Sequence, residues 1–251
     1  MKISILLPYK ENYSPNYPGA VSIFVHSTNN VSRFKKNLTV YGSTHHKKKL
    51  SKNNINIFLS KKILRSQSKE YVDKFLEIQK KDQPDIIEIH NRPVYIKNLI
   101  QLKCKLVLYF HNDPVTMIGS KTVQERIDLL NTCSKIIFNS EWSKKQFLND
   151  LKSFYHKSKK LEVIHQSINQ KKINFKHKEK LITFVGKLNS AKGYDIFGNA
   201  VTQILDKYPD WKSLVIGDEP RENISLSHKN LKNLGFQNHK KVLEIFKKTS
   251  I

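Results

Sequence analysis

Short, nearly unbroken apolar runs alternate along this chain with stretches of helical period. The runs predict strands at Ile3–Leu7, Leu38–Tyr41, Ile55–Leu59, Asp85–His90, Lys105–Phe110, Lys135–Asn139 and Leu161–His165. Several carry almost no polar alternation, the pattern of parallel strands covered on both faces. Helical spacing between them predicts helices near Gly19–Asn29, Gln67–Lys80, Tyr95–Lys103, Thr122–Thr132 and Glu141–Leu151. Alternating strand and helix predict an open, parallel α/β sheet over residues 1–165. Residues 166–179 are polar, basic and aperiodic, and read as a linker. A second β/α series fills 180–251. It has strands at Lys180–Val185, Trp211–Ile216 and Asn230–Leu234 and helices at Tyr194–Lys207 and Lys240–Lys248. Three strands are few for a doubly wound domain. The chain reaches Thr249-Ser250-Ile251 where a further strand is expected, so the second domain is expected to be incomplete.

Composition narrows the setting. No apolar run reaches the roughly 18 residues of a membrane-spanning helix. The opening stretch, Met1 to Pro8, is too short and too Pro-terminated for a secretory signal and reads as a buried first strand. Cys104 and Cys133 offer neither metal spacing nor a disulfide framework, so the expected setting is cytoplasmic. Lys and Arg exceed Asp and Glu by 24. Such a chain is drawn to polyanions: nucleic acid, an anionic membrane face or phosphorylated substrates. The plainer account is a Lys-, Asn- and Ile-rich coding bias spread over solvated faces. A nucleic-acid-binding role is disfavoured, because zinc spacing and an aromatic RNA signature are missing and the lysines are scattered. The His45-His46-Lys47-Lys48-Lys49 run could meet an anionic membrane at the inner face, or be a solvated loop.

The segment with the most chemical content is Phe184-Val185-Gly186-Lys187-Leu188-Asn189-Ser190-Ala191-Lys192-Gly193. A strand ends at Gly186, a turn follows, and a helix is expected to begin near Lys192. Helix starts leave backbone N–H groups free and carry partial positive charge. Glycine allows close approach, and two lysines add full charges, so the segment could hold a diphosphate. An ordinary β-to-α loop with solvated lysines fits the same spacing.

Here the sequence resembles a known family. Gly186-Lys-Leu-Asn-Ser-Ala-Lys-Gly193 is similar to the Gly-Arg-Leu…Lys-Gly signature of retaining GT-B glycosyltransferases of the GT4 type, the glycosyltransferase group 1 family. Other pieces stand in the family's order: Pro18-Gly19-Ala20, Ile89-His90-Asn91-Arg92-Pro93, Tyr109-Phe110-His111-Asn112-Asp113, Phe138-Asn139-Ser140-Glu141 and Leu214-Val215-Ile216-Gly217-Asp218. The resemblance implies a GT-B fold with two Rossmann-like domains, and transfer of a sugar from a nucleoside diphosphate to a glycan or lipid-linked acceptor. It also implies retained anomeric configuration and a place in cell-envelope polysaccharide or lipopolysaccharide synthesis. By similarity Lys187 stands where the family has an arginine, a point charge in place of a bidentate fork. Lys192 matches the phosphate lysine, and Gly19 lets backbone amides approach the donor phosphates. His111 is the histidine near the transferred sugar, although a histidine ending a buried strand can equally cap the backbone. His90, Asn91 and Arg92 are expected to line the acceptor cleft, Arg92 meeting an anionic acceptor group or a surface ion-pair partner; Asp218-Glu219 contacts a base or ribose of the donor, or is a turn. The resemblance implies no cofactor and no catalytic metal, the nucleotide sugar being a co-substrate. The family's Glu-x7-Glu element is missing, so weak turnover is expected. A non-catalytic sugar-binding protein is the alternative within the same fold.

Overall fold

Ile3, Ile5 and Leu7 face one side of the first strand and Leu6 the other, and all four are buried. That two-sided burial is why the run reads as continuously apolar, and it sets the layers of the whole first unit. The structure, a computed structural model, describes residues 1–60, 66–167, 177–218, 222 and 224–251. The chain divides into two units, Met1–Ile168 and Asn169–Ile251. Most of the expected linker lies outside the described residues.

In the first unit seven strands pair in parallel: β1 (Ile3–Leu6), β2 (Leu38–Gly42), β3 (Asn54–Asn56), β4 (Ile86–His90), β5 (Lys105–Phe110), β6 (Lys135–Phe138) and β7 (Leu161–Val163). Their order is β3-β2-β1-β4-β5-β6-β7. The chain winds outward from β1 to β3, then returns to lay β4 on the other side of β1, with Ile3 beside both Leu38 and Ile86. Where the winding reverses, the loops after β1 and β4 part and leave a crevice at the carboxyl ends of the strands. The glycine and the His-Asn segment singled out from sequence follow these two strands.

One face of the sheet packs Ile3, Ile5, Val40 and Leu38 against Val21 and Val25 of α1 (Ala20–Val31). The other face buries Leu6, Ile87, Ile89, Leu108 and Phe110 with Tyr71, Val72 and Phe75 of α2 (Gln67–Asp82). It continues onto α3 (Ile96–Leu99), α4 (Val123–Thr132) and α5 (Glu141–Leu148). The helix expected over Tyr95–Lys103 shrinks to α3: a 3-10 turn opened by Pro93 takes Tyr95, and the chain leaves the helix at Ile100. A Thr122/Glu125 capping box starts α4, and Ser140 caps α5 through the Ser143 amide. A one-turn helix, α6 (Ser153–His156), precedes β7. Arg126 is buried, its two terminal guanidinium nitrogens donating to the carbonyls of Ser120, Lys121 and Asn149 while Nε has no hydrogen-bond partner among the described residues. It ties the start of α4 to the end of α5.

The second unit carries three parallel strands, β8 (Leu181–Val185), β9 (Lys212–Ile216) and β10 (Leu231–Asn233), in the order β10-β9-β8. Two helices, α7 (Tyr194–Lys207) and α8 (His239–Lys248), complete it. Ile182, Val201 and Leu205 form one small core; Ile216, Val242 and Ile245 form another. Ser250 and Ile251 bond the outer edge of β8 through Ser250 N–H to the Leu181 carbonyl and Thr183 N–H to the Ile251 carbonyl, each 2.9 Å. No described helix is long and apolar enough to cross a membrane.

Candidate functional site

Five strand-end residues of the first unit build a polar cluster at the crevice. His111 follows β5, and its backbone is held on both sides. Its N–H donates to Asn91 Oδ1 at 2.8 Å, and its carbonyl accepts from Asn139 Nδ2 at 2.8 Å. Asn91 reaches this position with a left-handed backbone, φ 53°, which asparagine tolerates better than most residues. The His111 ring stacks on Tyr109 at 4.6 Å between centroids and 16° between planes. Phe24 of α1 meets its edge at 5.1 Å. His111 Nε2 lies 2.8 Å from His90 Nδ1, and Gln166 Nε2 lies 2.6 Å from His111 Nδ1. Burial and the neighbouring His90 push the His111 imidazole down to a pKa of about 3, so it is neutral at neutral pH. Burial, with Glu88 nearby, pushes the Tyr109 phenol up to about 12; its hydroxyl donates to the Ile164 carbonyl at 2.8 Å.

The structure brings His90, Asn91 and His111 together, but not as one lining. His90 is 0% exposed and Asn91 7%. Both lie beside His111, His90 against its ring and Asn91 against its backbone. Arg92 is half-buried, and its guanidinium turns back onto the Asn91 carbonyl at 2.8 Å. Gly19 is the N-cap of α1 with an ordinary φ of −74°. The space where its side chain would be is taken by the Glu11 carboxylate, which accepts from the Ser22 amide at 2.8 Å. An anion thus already sits on the first turn of α1, as the helix dipole favours. Glu11, Phe24, Glu88 and Gln166 carry no motif in the sequence; Tyr109 lies in the Tyr109–Asp113 piece, but only its stacking on His111 shows its part.

Lys187 and Lys192 belong to the second unit, in the turn between β8 and α7, and both are exposed. The helix does not begin at Lys192 as expected. A 3-10 turn, Ser190–Lys192, comes first, and Gly193 then takes φ 71° before α7 starts. A Cβ at Gly193 would meet nothing within 4 Å, so it is the left-handed backbone that calls for glycine here. Asn189 caps the turn, its Oδ1 accepting from the Lys192 amide at 3.1 Å. The Ser190 amide and hydroxyl both donate to Glu222 Oε2, at 3.0 and 3.2 Å. Again a carboxylate is seated on backbone N–H at a turn. Behind it the ends of β8 and β9 are glycine: a Cβ on Gly217, at φ 145°, would run into the Gly186 carbonyl. Asp218 is exposed at the end of β9, and Glu219 lies outside the described residues. In the basic run His45, Lys47 and Lys48 are exposed, while Lys49 turns in to the carbonyls of Thr44 and His46.

Residues 165–251 match the family model described as "Glycosyl transferases group 1". No curated protein matches the chain. Among solved structures, Anabaena HepE in complex with UDP-glucose superposes with a TM-score of 0.65 at 14% identity, over 94% of this chain and 70% of that one. WaaG, a glycosyltransferase involved in lipopolysaccharide biosynthesis, gives 0.65 at 14%, over 99% and 73%. UDP-GlcNAc 2-epimerase from Neisseria meningitidis, bound to UDP-GlcNAc, gives 0.61 at 12%, over 99% and 76%. At such identities the likeness is one of fold, and the fold hosts more than one chemistry. Residues 165–251 match the glycosyl transferases group 1 model, and the chain that carries them has the GT-B fold.

Proposed function

We propose that this chain is a glycosyltransferase acting on a nucleoside-diphosphate sugar, with the turn 186–193 receiving the diphosphate. The observation that carries the reading is the Glu222 carboxylate seated on the Ser190 amide and hydroxyl. It marks this turn as a place where an anion is held by backbone N–H, inside the segment that matches the glycosyltransferase model. A diphosphate oxygen would take the place of that carboxylate. Lys192 and Lys187 would then neutralise charge building on the departing nucleoside diphosphate, the main electrostatic task of the step. In this reading those lysines and backbone amides do the work that a divalent ion does elsewhere, and no metal is required.

The polar cluster of the first unit would serve the sugar. His111, neutral and held by its backbone on both sides, can exchange hydrogen bonds with a hydroxyl without adding charge. Arg92 would meet an anionic group of the acceptor after leaving the Asn91 carbonyl. Gly19 would receive phosphate only when the Glu11 carboxylate moves away. Retention of configuration, with front-face attack and the leaving phosphate taking the acceptor proton, completes the scheme. A glycan or lipid-linked acceptor of cell-envelope synthesis, met at the inner face of the membrane, is its setting. His45, Lys47 and Lys48 would supply the anionic-surface contact. The complex of HepE with UDP-glucose supports a nucleotide-sugar partner. The epimerase neighbour favours a second reading, sugar-nucleotide epimerisation on the same fold. Product analysis separates the two, because only transfer joins the sugar to an acceptor.

Two substitutions test the turn with opposite expected signs. Calorimetric titration with uridine diphosphate, with uridine as control, is expected to show Lys192→Ala weakening the diphosphate by about 1 kcal/mol, roughly five-fold. Glu222→Gln removes the competing charge and is expected to strengthen it by roughly two- to five-fold. Uridine should respond to neither. Unchanged diphosphate affinity in both variants would remove the turn from the site.

A further inference from the structure

A file of four side chains crosses the strand ends of the first unit. Glu88 Oε1 lies 2.8 Å from His90 Nε2, close but out of line for a hydrogen bond. His90 Nδ1 and His111 Nε2 are 2.8 Å apart, and His111 Nδ1 and Gln166 Nε2 are 2.6 Å apart. The protons can be assigned by valence. An amide nitrogen only donates, so His111 Nδ1 accepts from Gln166. The neutral imidazole has a single N–H, which therefore sits on Nε2 and donates to His90 Nδ1. The His90 proton is then on Nε2, facing the Glu88 carboxylate. The inner end of the file is fixed: His90 is fully buried, stacked on Tyr109 at 5.5 Å and 23°, with the Phe24 ring against it. The outer end is loose, because Gln166 is exposed.

We propose that Glu88 and His90 are positioning residues that hold His111 in its Nε2–H form, so that Nδ1 is presented as a hydrogen-bond acceptor to a sugar hydroxyl once the Gln166 amide withdraws. The proposal deepens the reading above and rests on it for the identity of the ligand. It assigns specificity to the site. A bare ring nitrogen accepts a hydroxyl proton, gains nothing from a deoxygenated position, and repels a carboxylate or phosphate oxygen. His111 therefore selects an uncharged, hydroxylated position of the sugar. The low basicity of His111 fits this, since protonation would turn the acceptor into a donor.

The test reads the tautomer directly. In the chain labelled with 15N on its histidines, long-range 1H–15N spectra at neutral pH are expected to show His111 with a protonated Nε2 and an unprotonated Nδ1. His90→Phe keeps a ring for the stack but removes the acceptor. His111 is then expected to populate both tautomers, the Gln166 amide turning to offer its oxygen to Nδ1–H. Glu88→Gln is a milder change at a partly exposed side chain. It is expected to give the same mixture, which keeps the proposal open to test should the buried substitution prevent folding. A protonated Nδ1 in the wild-type chain, or an unaltered single tautomer in whichever variants fold, would overturn it. No nucleotide enters the measurement, so it succeeds or fails separately from the glycosyltransferase reading.

Discussion

Gly217→Ala is expected to cost the second unit about 3 kcal/mol or more and to abolish binding of a nucleoside diphosphate. The side chain it adds has nowhere to go. At φ 145° the new Cβ points into the carbonyl of Gly186 on the neighbouring strand, and a backbone atom cannot swing away as a side-chain tip can. The strands part where β8 enters the turn that carries Lys187, Ser190 and Lys192. Gly235→Ala is the matched control. It also has a left-handed φ, 62°, but a Cβ there meets nothing within 4 Å. Its cost is expected to be about 1 kcal/mol, the conformational part alone. Urea unfolding followed at the second unit, with uridine diphosphate titration beside it, separates the two. Equal costs at both positions would show that the steric argument at Gly217 is wrong.

The second large effect lies under His111. Phe110 is fully buried, stacked parallel on Phe138 at 5.6 Å and tilted against Phe147 at 5.8 Å. Phe110→Ala removes a ring from three that fill the space between the sheet and α5, and is expected to destabilise the first unit by about 3–5 kcal/mol. Because the residue immediately precedes His111, the collapse is also expected to loosen the bond between the His111 carbonyl and Asn139. Phe58→Ala serves as control, since Phe58 is 78% exposed and its loss should stay within about 0.5 kcal/mol. Since the chain has two units, unfolding should be followed by hydrogen exchange at β5 amides rather than by a single global signal. A change at Phe110 no larger than at Phe58 would contradict the core described here.

Much of this architecture was legible as pattern. The buried parallel strands show as continuous apolar runs, and nine of the ten expected strands keep nearly their limits. The exception is instructive. Ile55–Leu59 reads as a strand, but pairing ends at Asn56, because β3 is the edge strand and Phe58 finds no cover. Helix ends were less legible where a proline or a left-handed residue decides them, as at Pro93, Gly193 and Asp150 after α5. Of the site, the strand-end residues His90, Asn91 and His111 were visible by position, because a parallel sheet gathers its carboxyl ends at one edge. Their division of labour was not. Whether a histidine faces solvent or stands behind another depends on Phe24 and Gln166, which are distant in sequence and carry no motif, and on how the Tyr109 ring stacks. The Glu11 and Glu222 carboxylates were hidden for the same reason. Each reaches a backbone amide across an interval that no local spacing encodes.

Backbone N–H groups of the turn after β8 are proposed to hold a diphosphate. Amide resonances of the 15N-labelled chain, followed during titration with uridine diphosphate and with uridine, test it most directly. The diphosphate is expected to shift Ser190 and its neighbours through Gly193 as the Glu222 carboxylate is displaced, while uridine leaves them in place. Saturable binding of the diphosphate with those resonances unmoved would contradict it.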